Sequence, residues 1–312
     1  LGAVDLSRVI QKNDDGVYFI NWNKLSKTIF KAVRFLDNII DLNDYHDERI
    51  EKQHKSDRRI GLGTMGLGEL LIKMKIKYGK EAVEFLDDLY GFIATQAYLA
   101  SIELAKEKGP FPMFDAEKYL QSEYIKNLPD NIREQIAEFG IRNAVILTQA
   151  PNGTTGTMMG TSTGIEPFYA WTLTRASRLG VHEEKAAVLV DIGYADSDDL
   201  PEYCVTAMDM SPEDHLAVQA IVQRWIDSAI SKTTNVPAEW TVEQVDELYR
   251  KAWLSGCKGI TIYRDGSRHE QVLTVVRNQQ TQDNNCEACG EVLVRADGCI
   301  SCPNGCFSAC SL

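Results

Sequence analysis

Six of the eight cysteines fall within the last 27 residues, at positions 286, 289, 299, 302, 306 and 310. That clustering constrains the chain more than any other feature. A secreted disulfide scaffold spreads its cysteines through a short chain, whereas here Cys204 and Cys257 stand alone in a long body. The pattern predicts a cytoplasmic body followed by a metal- or redox-active tail. Cys286-Glu-Ala-Cys289 and Cys299-Ile-Ser-Cys302 are two closely spaced pairs. Four thiolates so arranged close a tetrahedron around Zn²⁺, with Gly290 and Gly298 free to make the tight turns. Cys306 and Cys310, with three residues between them, form a further pair able to close a disulfide. The spacing leaves an alternative open, in which Cys306 or Cys310 replaces one zinc ligand and Cys302-Pro-Asn-Gly-Cys306 is the second knuckle. The tail sets Glu287, Glu291 and Asp297 against Arg295 alone, and its one aromatic is Phe307, so neither phosphate nor base finds a partner.

Residues 1–270 form the body. Trp22, Leu25, Ile29, Val33, Leu36 and Ile40 recur at the steps of one helical face. A second helix is expected over 81–108, ended by Gly109-Pro110. Asn143–Thr148 holds a short apolar run of the kind a buried strand shows. Ser211-Pro212 opens a helix predicted to reach about Ile230, and Thr241-Val-Glu-Gln244 is a capping box for another that stops near Gly256. Ile260–Tyr263 reads as a strand. Helices alternating with short buried strands define an α/β body. Residues 271–285, rich in Gln and Asn, form a polar linker, and 286–312 is the tail. No apolar run is long enough to span a bilayer.

Asp and Glu number 45 against 33 Lys and Arg, a formal charge of −12. That balance argues against nucleic acid as a partner, and it means that an anionic substrate must be held by local N–H groups rather than by the global field. Ala150-Pro-Asn-Gly-Thr-Thr-Gly-Thr157, just after the 144–147 strand, is the place suited to this, because small residues let backbone N–H groups and threonine hydroxyls reach phosphate oxygens. No Walker lysine is present. Gly61-Leu-Gly-Thr-Met-Gly66 has the letters of a dinucleotide fingerprint, but the charged stretch Glu51–Arg59 before it is not a strand, so it reads as a loop leading into a tightly packed helix. The histidines show no metal spacing, His215 reads as packing or surface, and Cys257 reads as buried rather than reactive.

Five motifs now stand in order. They are Arg59–Gly66, Pro151–Thr155, Gly160-Thr-Ser-Thr-Gly-Ile-Glu-Pro167, Ser231-Lys-Thr-Thr-Asn-Val-Pro237 and Gly256-Cys-Lys-Gly-Ile-Thr-Ile-Tyr-Arg-Asp-Gly-Ser-Arg268. With the cysteine tail, they resemble the C-terminal half of an adenosylcobalamin-dependent (class II) ribonucleotide reductase. The resemblance implies the second half of a ten-stranded α/β barrel, followed by a small zinc-ribbon tail. It implies reduction of a ribonucleotide, usually a diphosphate, through a thiyl radical, with adenosylcobalamin and structural zinc as cofactors. By the same resemblance Pro151, Asn152, Gly153, Thr154 and Thr155 form the substrate-phosphate loop, with Asn152 standing where the family more often has threonine. Cys286, Cys289, Cys299 and Cys302 hold the metal. Cys306 and Cys310 are the shuttle reduced by a thioredoxin-type donor, although their spacing is one residue shorter than is common in the family. The radical cysteine belongs to a segment upstream of Leu1-Gly2, so an N-terminal half is an expected partner and the complete enzyme is expected to be a homodimer. Two rival readings are a class I-type large subunit and a non-catalytic zinc-ribbon adaptor that binds a protein.

Overall fold

The computed structural model describes residues 1–177, 180–195, 197, 199–267, 289, 294–296, 299–302, 304, 306 and 308–310. The first compact unit holds residues 1–171 and 185–272. Its frame is a row of parallel extended segments, each joined to the next through helices. β1 (Gly2–Asp5) is followed by a small hairpin of β2 (Ile10–Lys12) and β3 (Tyr18–Ile20), then by α1 (Trp22–Leu42) and α2 (Glu48–Asp57). β4 (Leu62–Met65) returns parallel to β1, pairing Gly2 with Leu62 and Asp5 with Met65. After it come α3 (Leu67–Lys73), α4 (Val83–Lys108) and the shorter α5 (Ala116–Leu120), α6 (Glu123–Lys126) and α7 (Asp130–Phe139). Residues 145–149 then lie beside β4, bridging at Leu62–Leu147, and beside residues 228–231, bridging at Gln149–Ile230, both parallel.

The crossover between those two segments contains α8 (Gly153–Met159), the paired β5 (Thr172–Ser177) and β6 (Gly180–Lys185), α9 (Ala187–Asp191) and α10 (Pro212–Arg224). β7 (Thr233–Val236) continues the fourth segment, and α11 (Val242–Leu254) leads to β8 (Thr261–Arg264), which pairs parallel to β7. Five parallel segments therefore stand side by side in chain order, as helix-linked β units favour. Among the described residues the row is open, and a closed barrel is not seen.

The helices form for reasons written locally. The Asn21 side chain accepts from Lys24 N to start α1, which buries Leu25, Ile29, Val33, Leu36 and Ile40 on one face. Ser211 caps α10 with Pro212 in its first turn, and Thr241 and Gln244 make both bonds of a capping box on α11. α10 stops at Arg224, short of the expected Ile230, because the chain must be extended by Ser228 to bond Leu147 O. Behind the row, fully buried Asp37 of α1 accepts from Arg58 Nε (2.9 Å) and Asn143 Nδ2 (3.0 Å), tying α1 to the starts of two strands.

One expectation needs correction. Gly61–Met65 is not a loop, since Leu62–Met65 is the wholly buried strand β4. Its glycines are there because the 145–149 segment runs too close for side chains. A Cβ on Gly63 would lie 2.6 Å from Thr148 O. The rest of that reading holds, because the next helix, α3, is buried along nearly all its length.

The second unit holds residues 172–184 and 273–312. In the tail, β9 (Val294–Ala296), β10 (Cys299–Ser301) and β11 (Ser308–Cys310) form an antiparallel sheet with β10 in the centre. The 271–285 linker lies outside the described residues. No described helix is long and apolar enough to cross a membrane.

Candidate phosphate loop and cysteine cluster

The loop Pro151–Thr155 leaves the parallel row at the carboxyl end of its middle segment. Gln149, almost fully buried, anchors its base. The Gln149 amide accepts from Thr64 N (3.1 Å) and Thr64 Oγ1 (2.9 Å) and donates to Thr64 O (2.7 Å), so a side chain completes a backbone pairing with β4. Asn152 then turns the chain in the left-handed conformation (φ 53°, ψ 31°), which Asn tolerates better than most residues. Its Nδ2 donates to Thr64 O and Ala150 O, both at 3.2 Å. The Asn152 side chain is thus engaged in shaping the loop. Gly153, Thr154 and Thr155 open α8 and are exposed. N–H groups in a first helical turn lack an intrahelical acceptor, while Gly156 N already bonds Asn152 O (2.7 Å).

The Gly160–Pro167 motif packs directly on this loop. Thr161 N donates to Gly156 O, and a Cβ on Gly164 would meet Ala150 O and Pro151 O at 3.1 Å. Ser162 links the pair to α3. Its N and Oγ donate to the two oxygens of Glu69 (2.6 and 2.7 Å), and its carbonyl accepts from Gly66 N. Burial raises the Glu69 carboxyl above its ordinary range in spite of these bonds. At the other end of the motif, Glu166 accepts from Thr233 N (2.7 Å) and from Lys232 Nζ (2.6 Å). Lys232 is buried completely, and it also donates to His215 Nδ1 (2.8 Å) and Thr233 O (2.5 Å). Burial, then the neighbouring Lys232 charge, pushes His215 down to about 3, so the ring is neutral and its Nε2 donates to Ala207 O. Burial likewise lowers Lys232.

All five ordered motifs therefore meet on one row. The first three and the Lys232 segment are joined by hydrogen bonds, and the fifth pairs through β8 with β7. Sequence reasoning missed Glu166, Lys232 and His215 as one cluster. The segment carried no signal of it, because Lys232 stands among Ser231, Thr233, Thr234 and Asn235 and reads as an ordinary polar run, although the fold buries Lys232, Thr234 and Asn235. At the opposite, amino end of the row lies a cleft of about 910 Å³ lined by Tyr98, Tyr119, Tyr124, Asp227 and Lys258. In parallel α/β folds that end serves stability rather than chemistry.

Cys257 is half-buried and Cys204 buried. Burial raises both thiols to about 11, which makes them poor nucleophiles. In the tail, the sulfurs of Cys289, Cys302 and Cys306 lie within 4.8 Å of one another. Cys289 Sγ is 3.4 Å from Cys302 Sγ, and Asn304 Nδ2 donates to Cys289 Sγ at 3.7 Å. The hydrogen bond to Cys289, ahead of burial, pushes the Cys306 thiol up to about 12. Of the predicted zinc ligands, Cys289 and Cys302 are brought together, and Cys306, expected in the shuttle, joins them. Cys286 and the side chains of Cys299 and Cys310 lie outside the described residues, while the backbones of Cys299 and Cys310 stand opposite each other in β10 and β11.

An α/β domain of parallel strands, with an exposed Gly/Thr loop at their carboxyl ends and a thiol-rich tail, is the class that fold and site define. A family model described as "Ribonucleotide reductase, barrel domain" matches residues 1–263, and the chain belongs to that family. It is similar to the vitamin B12-dependent ribonucleoside-diphosphate reductase of Thermoplasma acidophilum, at 34% identity over 298 residues, covering 88% of this chain and 36% of that protein. The protein of the same description from Mycobacterium tuberculosis is 35% identical over 298 residues, covering 88% and 40%. The ribonucleoside-diphosphate reductase subunit alpha of Chlamydia pneumoniae is 29% identical over 307 residues, covering 83% and 29%. The chain thus spans well under half the length of these relatives.

Proposed function

We propose that the chain is part of an adenosylcobalamin-dependent ribonucleoside-diphosphate reductase, in which it contributes the loop that holds the substrate's phosphates and the cysteine tail that returns reducing equivalents. The observation that carries this reading is the meeting of five ordered motifs on one parallel row, with Pro151–Thr155 exposed at its carboxyl end, where such folds bind ligands. In a chain of charge −12 the diphosphate is held locally, by the N–H groups of Gly153, Thr154 and Thr155 and by the two threonine hydroxyls. Asn152 sets the loop's shape instead of touching the ligand. Dependence on cobalamin is inferred from the relatives so named, which stand at 34–35% identity against 29% for the relative named subunit alpha. Adenosylcobalamin, when bound, supplies radical initiation; no described residue here is assigned to hold it. The converging sulfurs of Cys289, Cys302 and Cys306 fit a zinc site, since three thiols so close favour a cation between them.

The partners that follow are a ribonucleotide, an upstream half that carries the radical cysteine, a thioredoxin-type dithiol donor and, in the complete cytoplasmic enzyme, a second copy. The test is deoxynucleotide formation from a ribonucleoside diphosphate by this chain, alone and mixed with the upstream half of a B12-dependent relative. Product only in the mixture, and only with adenosylcobalamin, supports the reading. Product that requires a separate radical-generating subunit would move the chain to the class I type. No product from two folded pieces overturns it.

A further inference from the structure

Ser162, near the centre of the Gly160–Pro167 segment, commits every polar group to the start of α3. Its N and Oγ donate to the two oxygens of Glu69, its Oγ accepts from Gly68 N (3.0 Å), and its carbonyl accepts from Gly66 N (2.9 Å). Four hydrogen bonds thus tie one residue to positions 66–69. Both Ser162 and Glu69 are buried, so water does not replace a lost bond. The approach depends on glycine, since a Cβ on Gly68 would lie 2.9 Å from Ser162 Oγ. The residues on either side of Ser162 bear on the phosphate loop from both its ends. Gly164 packs against Ala150 O and Pro151 O at the loop's start. At its far end Thr161 N donates to Gly156 O (2.9 Å), and a Cβ on Gly156 would lie 3.0 Å from Thr163 Cγ2.

Glu69 stands in a helix whose other buried members, Leu67, Gly68, Leu70, Leu71 and Ile72, are apolar. A carboxyl in such a place costs stability unless its oxygens are bonded. Ser162 accounts for it chemically. The serine turns two donors, N–H and O–H, toward one side chain, and a carboxylate is the side chain that offers two acceptor oxygens and no donor. We propose that Glu69 is a positioning residue for the phosphate loop: its carboxylate locks Ser162, and Ser162 fixes the segment on which Pro151–Thr155 is seated. The N–H groups of Gly153, Thr154 and Thr155 then stand preset for a diphosphate, and binding does not have to order them. Glu69 acts through Ser162 and not on the ligand. This role rests on the reading of Pro151–Thr155 as the site of the substrate's phosphates.

The experiment uses the full chain and inorganic pyrophosphate, with binding measured by calorimetry. Glu69→Gln leaves one Ser162 donor facing an amide NH2, and Ser162→Ala removes the hydroxyl alone. Each is expected to weaken the dissociation constant about ten-fold, the scale of one buried hydrogen bond. The Glu69→Gln/Ser162→Ala double variant is expected to show about the same ten-fold loss instead of a hundred-fold one, because without the hydroxyl a single acceptor oxygen is enough. Asp37→Asn, a buried site behind the row, serves as the control. It is expected to lower the unfolding midpoint and to leave pyrophosphate affinity unchanged, which separates positioning from a general loss of stability. Amide hydrogen exchange gives a second readout, with Gly156 N and Thr161 N expected to exchange at least ten-fold faster in Ser162→Ala. Should Glu69→Gln fail to fold, Ser162→Ala still decides the matter. Wild-type affinity in both single variants, a hundred-fold loss in the double variant, an equal loss in Asp37→Asn, or unchanged exchange at Gly156 and Thr161 would each overturn the role of Glu69 while the phosphate-loop reading stands. A folded wild type that binds no pyrophosphate would overturn that reading, and this role with it.

Discussion

Glu166→Gln tests the buried cluster of Glu166, Lys232 and His215. The substitution keeps the shape of the side chain and an acceptor for Thr233 N, and it removes the carboxylate that faces Lys232 Nζ at 2.6 Å. The Lys232 side chain has no exposure, so water cannot replace the lost partner. Removing one member of a buried ion pair costs about 3–5 kcal/mol. An independent bound comes from letting the lysine lose its proton instead. Neutralising it at pH 7 against an ordinary value near 10.4 costs about 4.6 kcal/mol, at about 1.36 kcal/mol per pH unit. The two agree, and the expected loss at pH 7 is about 3–5 kcal/mol. The sign of the pH dependence follows from linkage. Burial already lowers Lys232 and Glu166 acts to raise it, so in the variant its folded-state value falls further below the unfolded one, the unfolded variant binds more protons over a wider window, and the variant gains stability with pH more steeply than the wild type. The deficit of the variant therefore shrinks to about 1–2 kcal/mol at pH 9.5. Urea denaturation followed by tryptophan fluorescence at pH 7 and 9.5 measures both. A loss under about 1 kcal/mol at pH 7, or a deficit that ignores pH, would refute the claim that Glu166 compensates a buried ammonium.

His215, held near 3 against an ordinary 6.5, gives the same sign: it costs nothing above pH 6.5 and destabilises by up to about 1.4 kcal/mol per pH unit below it. His215→Gln is expected to flatten the acid limb of a stability–pH profile. Gly63→Ala places a methyl 2.6 Å from Thr148 O and is expected to cost about 1–3 kcal/mol in the midpoint of thermal or urea unfolding. Asn152→Ala removes the two 3.2 Å bonds that shape the loop; calorimetry is expected to show about a ten-fold weaker dissociation constant for a nucleoside diphosphate, with unfolding changed by about 1 kcal/mol or less.

What the sequence disclosed and what it hid divide along the range of the interactions. Helix starts at Ser211 and Thr241 depend on partners three residues away, and the periodic face of α1 is visible in any window of two turns. β4 was hidden because its glycines carry no pattern; they exist to let residues 145–149 approach, some 85 positions later. Glu166, Lys232 and His215 were hidden for the same reason, with Glu166 and Thr233 standing 67 positions apart. In the tail, the spacing alone allowed Cys306 either role, and only the meeting of its sulfur with Cys289 and Cys302 favours one.

The middle segment of the row has an unusual dependence. Asp227 accepts from Ile146 N (2.8 Å), Leu147 N (3.0 Å) and the Tyr98 hydroxyl (2.8 Å), and this half-buried carboxyl stands 81 residues beyond Ile146. A nascent chain emerging from the ribosome therefore reaches the start of this segment long before the group that satisfies it. At about 5–20 residues per second, the central strand waits some seconds with open backbone donors. Contacts of such separation slow folding.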